Sequence, residues 1–126
     1  MILKSFCFLN TVDQWGGGER WHLDIAMHLR SKGYDVIIIT QPRSVLGERA
    51  QKEGIKVFYI VLTNLSVLNP FVLFKLSNIF QSNQVDILVL NLSRDLKCGG
   101  ISARMAGVKN IFYRRGSDRA VKNYFF

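Results

Sequence analysis

The sequence predicts an α/β domain built on a doubly wound parallel sheet of about five strands with helices on both faces. Short runs of β-branched and aromatic residues alternate along the chain with longer stretches whose apolar residues recur at helical spacing. The segments between successive runs are too long for hairpins and helical in pattern. This arrangement favours parallel strands joined by right-handed crossovers.

Five apolar runs are predicted to be strands. The second contains the sequence Val-Ile-Ile-Ile, which is typical of a strand covered on both faces. The first is too short for a stable helix and is rich in β-branched and aromatic residues. In chain order, the predicted strands span residues 2–9, 35–40, 55–62, 86–92 and 110–113.

Four intervening stretches are predicted to be helices. Three of them stop at a glycine, the usual residue where the chain leaves a helix through a left-handed backbone conformation. They span residues 19–32, 46–53 and 93–106, and they end at Gly33, Gly54 and Gly107.

The remaining helix is predicted to begin at Pro70, where a missing N–H group costs nothing, with Asn69 as its cap. Its apolar stripe consists of Phe71, Phe74, Ile79 and Phe80. We favour packing of this stripe against the sheet, although contact of its first turn with lipid remains open.

The last predicted helix carries a conflicting signal. Ser93 is a plausible cap, but Gly99 and Gly100 lie inside the helix and each costs about 1 kcal/mol relative to alanine. With this helix included, the elements alternate regularly, and the simplest strand order is 3-2-1-4-5, a Rossmann-like sheet. The apolar end at 124–126 suggests that residues 1–126 are one domain, an incomplete part of a larger protein.

Composition narrows the class of protein. The chain has 126 residues, 48% of them apolar, which excludes a disordered polypeptide. Cys7 and Cys98 are too few for a disulfide framework, so we interpret them as core thiols of a reduced, intracellular protein. Neither a signal peptide nor a transmembrane span is convincing.

The charge is uneven. The formal net charge is +8, and +6 of it falls from Arg94 onward. This indicates an anionic partner, namely phosphate, nucleotide, nucleic acid or a membrane surface, with a solvated basic surface as the equal alternative.

Ligands of such sheets bind beyond the carboxyl ends of the strands, where the strand order reverses. Gly16, Gly17 and Gly18 lie there and lead into a helix at Glu19, so backbone N–H groups and the helix dipole favour a diphosphate. Trp21 breaks the dinucleotide fingerprint. Two alternative interpretations remain open. The glycines form a turn that needs glycine for its backbone conformation alone, and Glu19 only stabilises the helix dipole.

A second group of residues is predicted to converge on the same crevice from the fourth and fifth strands. Its members are candidates for phosphate or carboxylate binding: Asn91, Arg94, Arg114 and Arg115. The alternatives are a local ion pair of Arg94 with Asp95 and a surface position for Arg115. His22 and His28 are six residues apart, so we interpret them as structural or solvent-facing rather than as a metal pair.

No complete catalytic set and no metal-ligand spacing is visible. The residues do resemble a known family, however. The sequences Gly-Gly-Gly-Glu at 16–19, Leu-Arg-Ser-Lys-Gly-Tyr-Asp-Val at 29–36 and Ala-Arg-Met-Ala-Gly-Val-Lys at 103–109 are similar to the amino-terminal domain of GT-B glycosyltransferases of group 1, family 4.

The resemblance implies an acceptor-side domain of a retaining enzyme that transfers a sugar from a nucleotide-sugar without a metal or other cofactor. Gly17 and Gly18 would approach the donor diphosphate, and a carboxy-terminal domain would bind the nucleotide. Arg115-Gly116 follows the fifth predicted strand, where members of the family often have a His-Gly or His-Asp pair. The acceptor would be a lipid-linked or cell-envelope glycan, in polysaccharide biosynthesis in the cytoplasm, with peripheral contact at the inner membrane face.

Two other functions remain open. The glycine segment and the basic end also fit a stand-alone phosphate- or nucleotide-binding module. Charge alone would fit nucleic-acid binding, which we regard as less favoured because few aromatic residues are interleaved with the basic ones.

Overall fold

The strand order follows the predicted pattern. In the computed structural model, which describes residues 4–12, 17–63, 65–113 and 122–124, the sheet order is β3-β2-β1-β4-β5-β6. The first five strands are parallel, as predicted, and they are β1 (Ser5–Leu9), β2 (Asp35–Thr40), β3 (Lys56–Tyr59), β4 (Ile87–Leu90) and β5 (Asn110–Tyr113). The sequence did not predict β6 (Lys122–Tyr124), which pairs antiparallel with β5 at the sheet edge.

Four α-helices cover the two faces of the sheet. They are α1 (Gly17–Ser31), α2 (Val45–Lys52), α3 (Pro70–Ser82) and α4 (Ser93–Ala106), and a short 3-10 helix (Ser66–Leu68) precedes α3. Gly33, Gly54 and Gly107 follow three of them with positive φ, as predicted. None of the helices in the described ranges is both long and apolar enough to cross a membrane.

Alternate strand residues pack into two cores, which explains the continuous apolar runs. Cys7 and Leu9 of β1 lie in the core beneath α3 and α4, whereas Phe8 lies in the core beneath α1 and α2. Cys7 and Cys98 are free and buried, as the sequence predicts. Both faces of the sheet are therefore dry, as in doubly wound folds.

Helix α3 corrects one expectation. Asn69 caps it, and its side-chain oxygen accepts a hydrogen bond from the Phe71 N–H at 3.0 Å, as predicted. Ile79 and Phe80 pack into the core, but Phe71 and Phe74 are 82% and 58% exposed. The predicted packing of Phe71 and Phe74 against the sheet is wrong, because these two side chains lie on the outer side of α3. Val72 and Leu73, in the same part of the helix, pack against the core instead.

Helix α4 forms despite its internal glycines, and its cap lies one residue earlier than predicted. Leu92 is the N-cap residue and Ser93 the first residue of the helix. An added Cβ at Gly99 would lie 2.7 Å from Leu9 Cδ2 and 2.8 Å from Leu90 Cδ2. A glycine therefore lets α4 approach β1 and β4 closely, which offsets its poor helix propensity.

Replacement of Gly99 tests this close approach. We expect Gly99→Ala to lower the free energy of unfolding by about 1–3 kcal/mol, as overpacking does, although alanine is the better helix former by about 1 kcal/mol. Denaturant unfolding measures the change. Lys97→Ala, at an exposed position of the same helix, is the control and should change stability by less than about 0.5 kcal/mol. A more stable Gly99→Ala variant would contradict the packing argument.

Candidate functional site

The carboxyl ends of β1 and β4 lie side by side at the centre of the sheet. β1 pairs with β2 on one side and with β4 on the other, so the strand order reverses there. Asn10 and Thr11 follow β1, Asn91 follows β4, and all three are buried. This edge is the predicted crevice, and polar rather than apolar side chains fill its floor.

The first part of the site is a buried amide cluster. Asn10 Nδ2 donates to Glu19 Oε2 at 3.2 Å and lies 3.4 Å from His22 Nδ1. Asn10 Oδ1 accepts from the Val12 N–H at 3.1 Å and from Asn91 Nδ2 at 3.5 Å. The cluster therefore joins the end of β1, the first turns of α1 and the end of β4.

The cluster assigns places to several predicted residues. Glu19 is buried and bonded to Asn10 within the first turn of α1, where a carboxylate also stabilises the helix dipole. His22 is fully buried and His28 is exposed. Within the described residues, Asn91 Oδ1 is buried without a hydrogen-bond partner.

The second part of the site links Asp95 and Arg94 through Thr11. The Thr11 hydroxyl donates to Asp95 Oδ1 at 2.5 Å, and the Thr11 N–H donates to Asp95 Oδ2 at 3.2 Å. Arg94 Nε donates to Thr11 Oγ1 at 3.0 Å, and Arg94 Nη2 donates to the Thr11 carbonyl at 2.6 Å. The guanidinium is thus fixed on one edge, and its two Nη groups retain further N–H donors for an anion.

Asp95 also closes the start of α4. Its Oδ2 accepts a hydrogen bond from the N–H of Leu92, the N-cap residue, at 3.2 Å. A carboxylate at the third helical position supplies half of a capping box and lies favourably in the helix dipole. Three backbone or side-chain donors therefore point at a side chain that is fully buried.

Burial of Asp95 has an electrostatic consequence. Desolvation raises the pKa of Asp95 from 3.8 to about 6, against the hydrogen bonds from Thr11 and Leu92 and the charge of Arg94, which lower it. The carboxyl is mostly ionised at pH 7, the form that can accept all three hydrogen bonds.

The predicted site residues fall into two groups. The structure brings Glu19, Asn91 and Arg94 to one edge of the sheet, where Gly17 and Gly18 form the first turn of α1. Gly16, Arg114 and Arg115 lie outside the described residues. The sequence reasoning missed Thr11, whose only signal was a pair of polar residues directly after a buried strand.

Comparison with known proteins identifies the family. The sequence model described as Glycosyltransferase Family 4 matches residues 15–125. The chain belongs to glycosyltransferase family 4. The match confirms the family inferred from the glycine segment and the helix ends. A comparison with curated protein sequences found no match.

Solved structures share the fold. MurG of Acinetobacter baumannii is 16% identical with a TM-score of 0.74, and the match covers 93% of this chain and 36% of that one. Anabaena HepE in complex with UDP-glucose is 21% identical with a TM-score of 0.68, and the match covers 86% of this chain and 28% of that one. The lipopolysaccharide outer core galactosyltransferase WaaB is 16% identical with a TM-score of 0.67, and the match covers 90% of this chain and 33% of that one. The family 4 chain therefore spans about a third of the length of these proteins.

The pKa of Asp95 predicts a pH dependence of stability. As pH rises from about 4 to about 6, the unfolded chain loses the Asp95 proton first while the folded chain keeps it. The folded protein is therefore stabilised by the tighter binding of this proton below about pH 4. This stabilisation, up to about 3 kcal/mol in the free energy of unfolding, is lost as pH rises to about 6 and above.

Urea unfolding of the wild type and of Asp95→Asn across this pH range isolates the effect. The variant lacks the titrating group, so the difference in stability between the two proteins should shift against the wild type as pH rises. A difference that stays constant from pH 4 to pH 7 would contradict the burial argument.

Proposed function

We propose that this chain is the acceptor-side domain of a retaining glycosyltransferase that takes a sugar from a nucleotide-sugar donor. The acceptor is a cell-envelope or lipid-linked glycan, and transfer needs a further, donor-binding domain. The observation that carries the proposal is the family match over residues 15–125, together with a polar site where the strand order reverses. Because ligands of such sheets bind at this edge, the proposal places the reaction there.

Two features of the site suit a donor diphosphate. Helix α1 has 15 residues and begins with Gly17 and Gly18. Glycine lets a ligand approach the backbone closely, and the start of a helix favours an anion through its N–H groups and its dipole. Arg94 lies at the same edge with its guanidinium held by Thr11. In the proposal these groups meet the diphosphate charge, and no metal or other cofactor takes part.

The relatives support the choice of donor and acceptor. HepE was solved with UDP-glucose, which supports a nucleotide-sugar donor, and the name of WaaB supports an acceptor of the cell envelope. The short span of the chain relative to these proteins supports a division of labour between two domains. We place the reaction in the cytoplasm, in polysaccharide biosynthesis.

The division of labour is tested with the isolated chain. Incubated with UDP-, GDP- and ADP-sugars and an envelope lipid extract, it should transfer no sugar, because in the proposal a further domain binds the donor. Robust transfer would refute the proposal. Calorimetry separates the stand-alone nucleotide-binding alternative, which requires tight binding of a nucleotide by the 126 residues alone.

The role of Arg94 is tested in an active enzyme that contains this chain joined to a donor-binding domain. We expect Arg94→Ala to lower kcat/KM by about 10- to 100-fold, since a hydrogen bond to a charged group contributes about 1.5–3 kcal/mol. Arg94→Lys should recover part of the loss by restoring charge without the two-pronged geometry.

The matched control is Arg30→Ala, because the Arg30 guanidinium binds the Glu53 carbonyl near the opposite edge of the sheet. It should leave kcat/KM within about twofold, a change that corresponds to less than 0.5 kcal/mol. Equal losses in the Arg30 and Arg94 variants would show a general effect on folding rather than anion binding.

A further inference from the structure

Arg94 and Asp95 hold Thr11 from two sides. The hydroxyl and the N–H of Thr11 donate to the two carboxylate oxygens of Asp95. The hydroxyl oxygen and the carbonyl of Thr11 accept from the Arg94 guanidinium. Thr11 and Asp95 are buried, whereas Arg94 is half-buried. A buried pair of side chains therefore determines the place of a cation that a ligand can reach.

The Thr11 hydroxyl is the point that the two charged residues share. A threonine hydroxyl has one proton to donate and two lone pairs to accept with. Its proton is directed at Asp95 Oδ1, at 2.5 Å, which leaves a lone pair for the Arg94 Nε–H at 3.0 Å. An ionised carboxylate can only accept. The ionised form of Asp95 therefore sets the direction in which Thr11 accepts from Arg94.

A proton on Asp95 is incompatible with this arrangement. On Oδ1 it would compete with the Thr11 hydroxyl proton, because the two oxygens are 2.5 Å apart and hold one proton between them. On Oδ2 it would displace the N–H groups of Thr11 and Leu92, which both donate there at 3.2 Å. Either position costs the site a hydrogen bond. The two forms of the carboxyl therefore hold Thr11 differently.

The groups around Asp95 set the pH at which its form changes. Desolvation raises the pKa of Asp95 to about 6, although the hydrogen bonds from Thr11 and Leu92 and the charge of Arg94 lower it. Burial and then the charge of Asp95 raise the pKa of the Cys98 thiol, one turn further along α4. The titratable and charged groups on the surrounding elements are Arg94, Lys97, Cys98 and Arg104 on α4, Lys75 on α3, Tyr113 on β5, and Glu19 and His22 on α1 beside Asn10.

We propose that Thr11 and Asp95 are positioning residues for Arg94. The ionised carboxylate, acting through the Thr11 hydroxyl, holds the guanidinium where it binds an oxyanion, and protonation of the carboxyl releases it. Thr11 takes two of the five N–H donors of the guanidinium. The other three lie on the Nη groups, and their direction is fixed while both contacts with Thr11 persist.

This inference rests on the proposed function, in which Arg94 meets the donor diphosphate. It adds that the affinity of the site for the diphosphate is high at neutral pH and falls as Asp95 becomes protonated. The diphosphate of a nucleotide-sugar is esterified at both ends, so the donor itself does not titrate in this range.

In an active enzyme that contains this chain joined to a donor-binding domain, kinetics report the coupling. Thr11→Val should raise KM for the donor about 5- to 10-fold with a smaller change in kcat, and Thr11→Ser should recover most of the loss. In the Arg94→Ala background, Thr11→Val should change kcat/KM less than about twofold. Additive losses would show that Thr11 acts otherwise than through Arg94 and would overturn the inference.

Nuclear magnetic resonance of the full chain, without substrate, tests the coupling directly. We expect the Arg94 Nε–H signal and the Asp95 carboxyl carbon to titrate together, with one midpoint near pH 6. In Thr11→Val, Asp95 should still titrate while the change at Arg94 falls at least about threefold, because the bridging hydroxyl is gone. Thr11→Ser should restore the change. Lys97→Ala, at an exposed position of the same helix, is the matched control and should leave both titrations in place.

The Asp95→Asn variant fixes the reference state. Its Arg94 signal should stay, at every pH, where the wild-type signal lies in acid. An Arg94 signal that does not change through the titration of Asp95 would overturn the positioning role, and so would a folded Thr11→Val variant in which Arg94 follows Asp95 as in the wild type. No nucleotide-sugar is present in these spectra, so their failure leaves the transferase proposal unaffected.

Discussion

The Asp95 carboxylate is the interaction on which the site depends. It accepts hydrogen bonds from Thr11 at the end of β1 and from Leu92 at the end of β4, and it caps α4. Through Thr11 it also fixes the position of Arg94. One buried side chain therefore sets the distance between two strand ends, the start of a helix and the direction of a cation.

Burial of the Asp95 carboxylate at this edge of the sheet costs desolvation free energy. Burial alone disfavours the ionised carboxyl, which is why the pKa of Asp95 rises, and the donors around it offset only part of that cost. An apolar side chain would remove the penalty but would leave the Thr11 and Leu92 N–H groups without acceptors. Polar residues at this edge are consistent with a site rather than with stability alone.

The sequence determines the fold more fully than the site. The β-branched runs and the glycines at helix ends are local signals, and they predict the five strands and the helices between them. The helical connections then predict parallel strands, and right-handed crossovers give their simplest order. Gly99 is a local signal against α4, and the tertiary structure explains its presence, because an added Cβ would lie 2.7 Å from Leu9 Cδ2 and 2.8 Å from Leu90 Cδ2. The outward orientation of Phe71 and the strand β6 depend on tertiary packing. Thr11 and Asp95 are 84 residues apart, so no spacing rule joins them.

The central claim is that Thr11 and Asp95 act as one unit. A double-mutant cycle of Thr11→Val and Asp95→Asn, read as the free energy of unfolding at pH 7, measures their coupling directly. We predict a coupling of about 1–3 kcal/mol, the range for residues in one hydrogen-bond network. Additive losses, within about 0.5 kcal/mol, would show that the two residues contribute independently and would contradict the account.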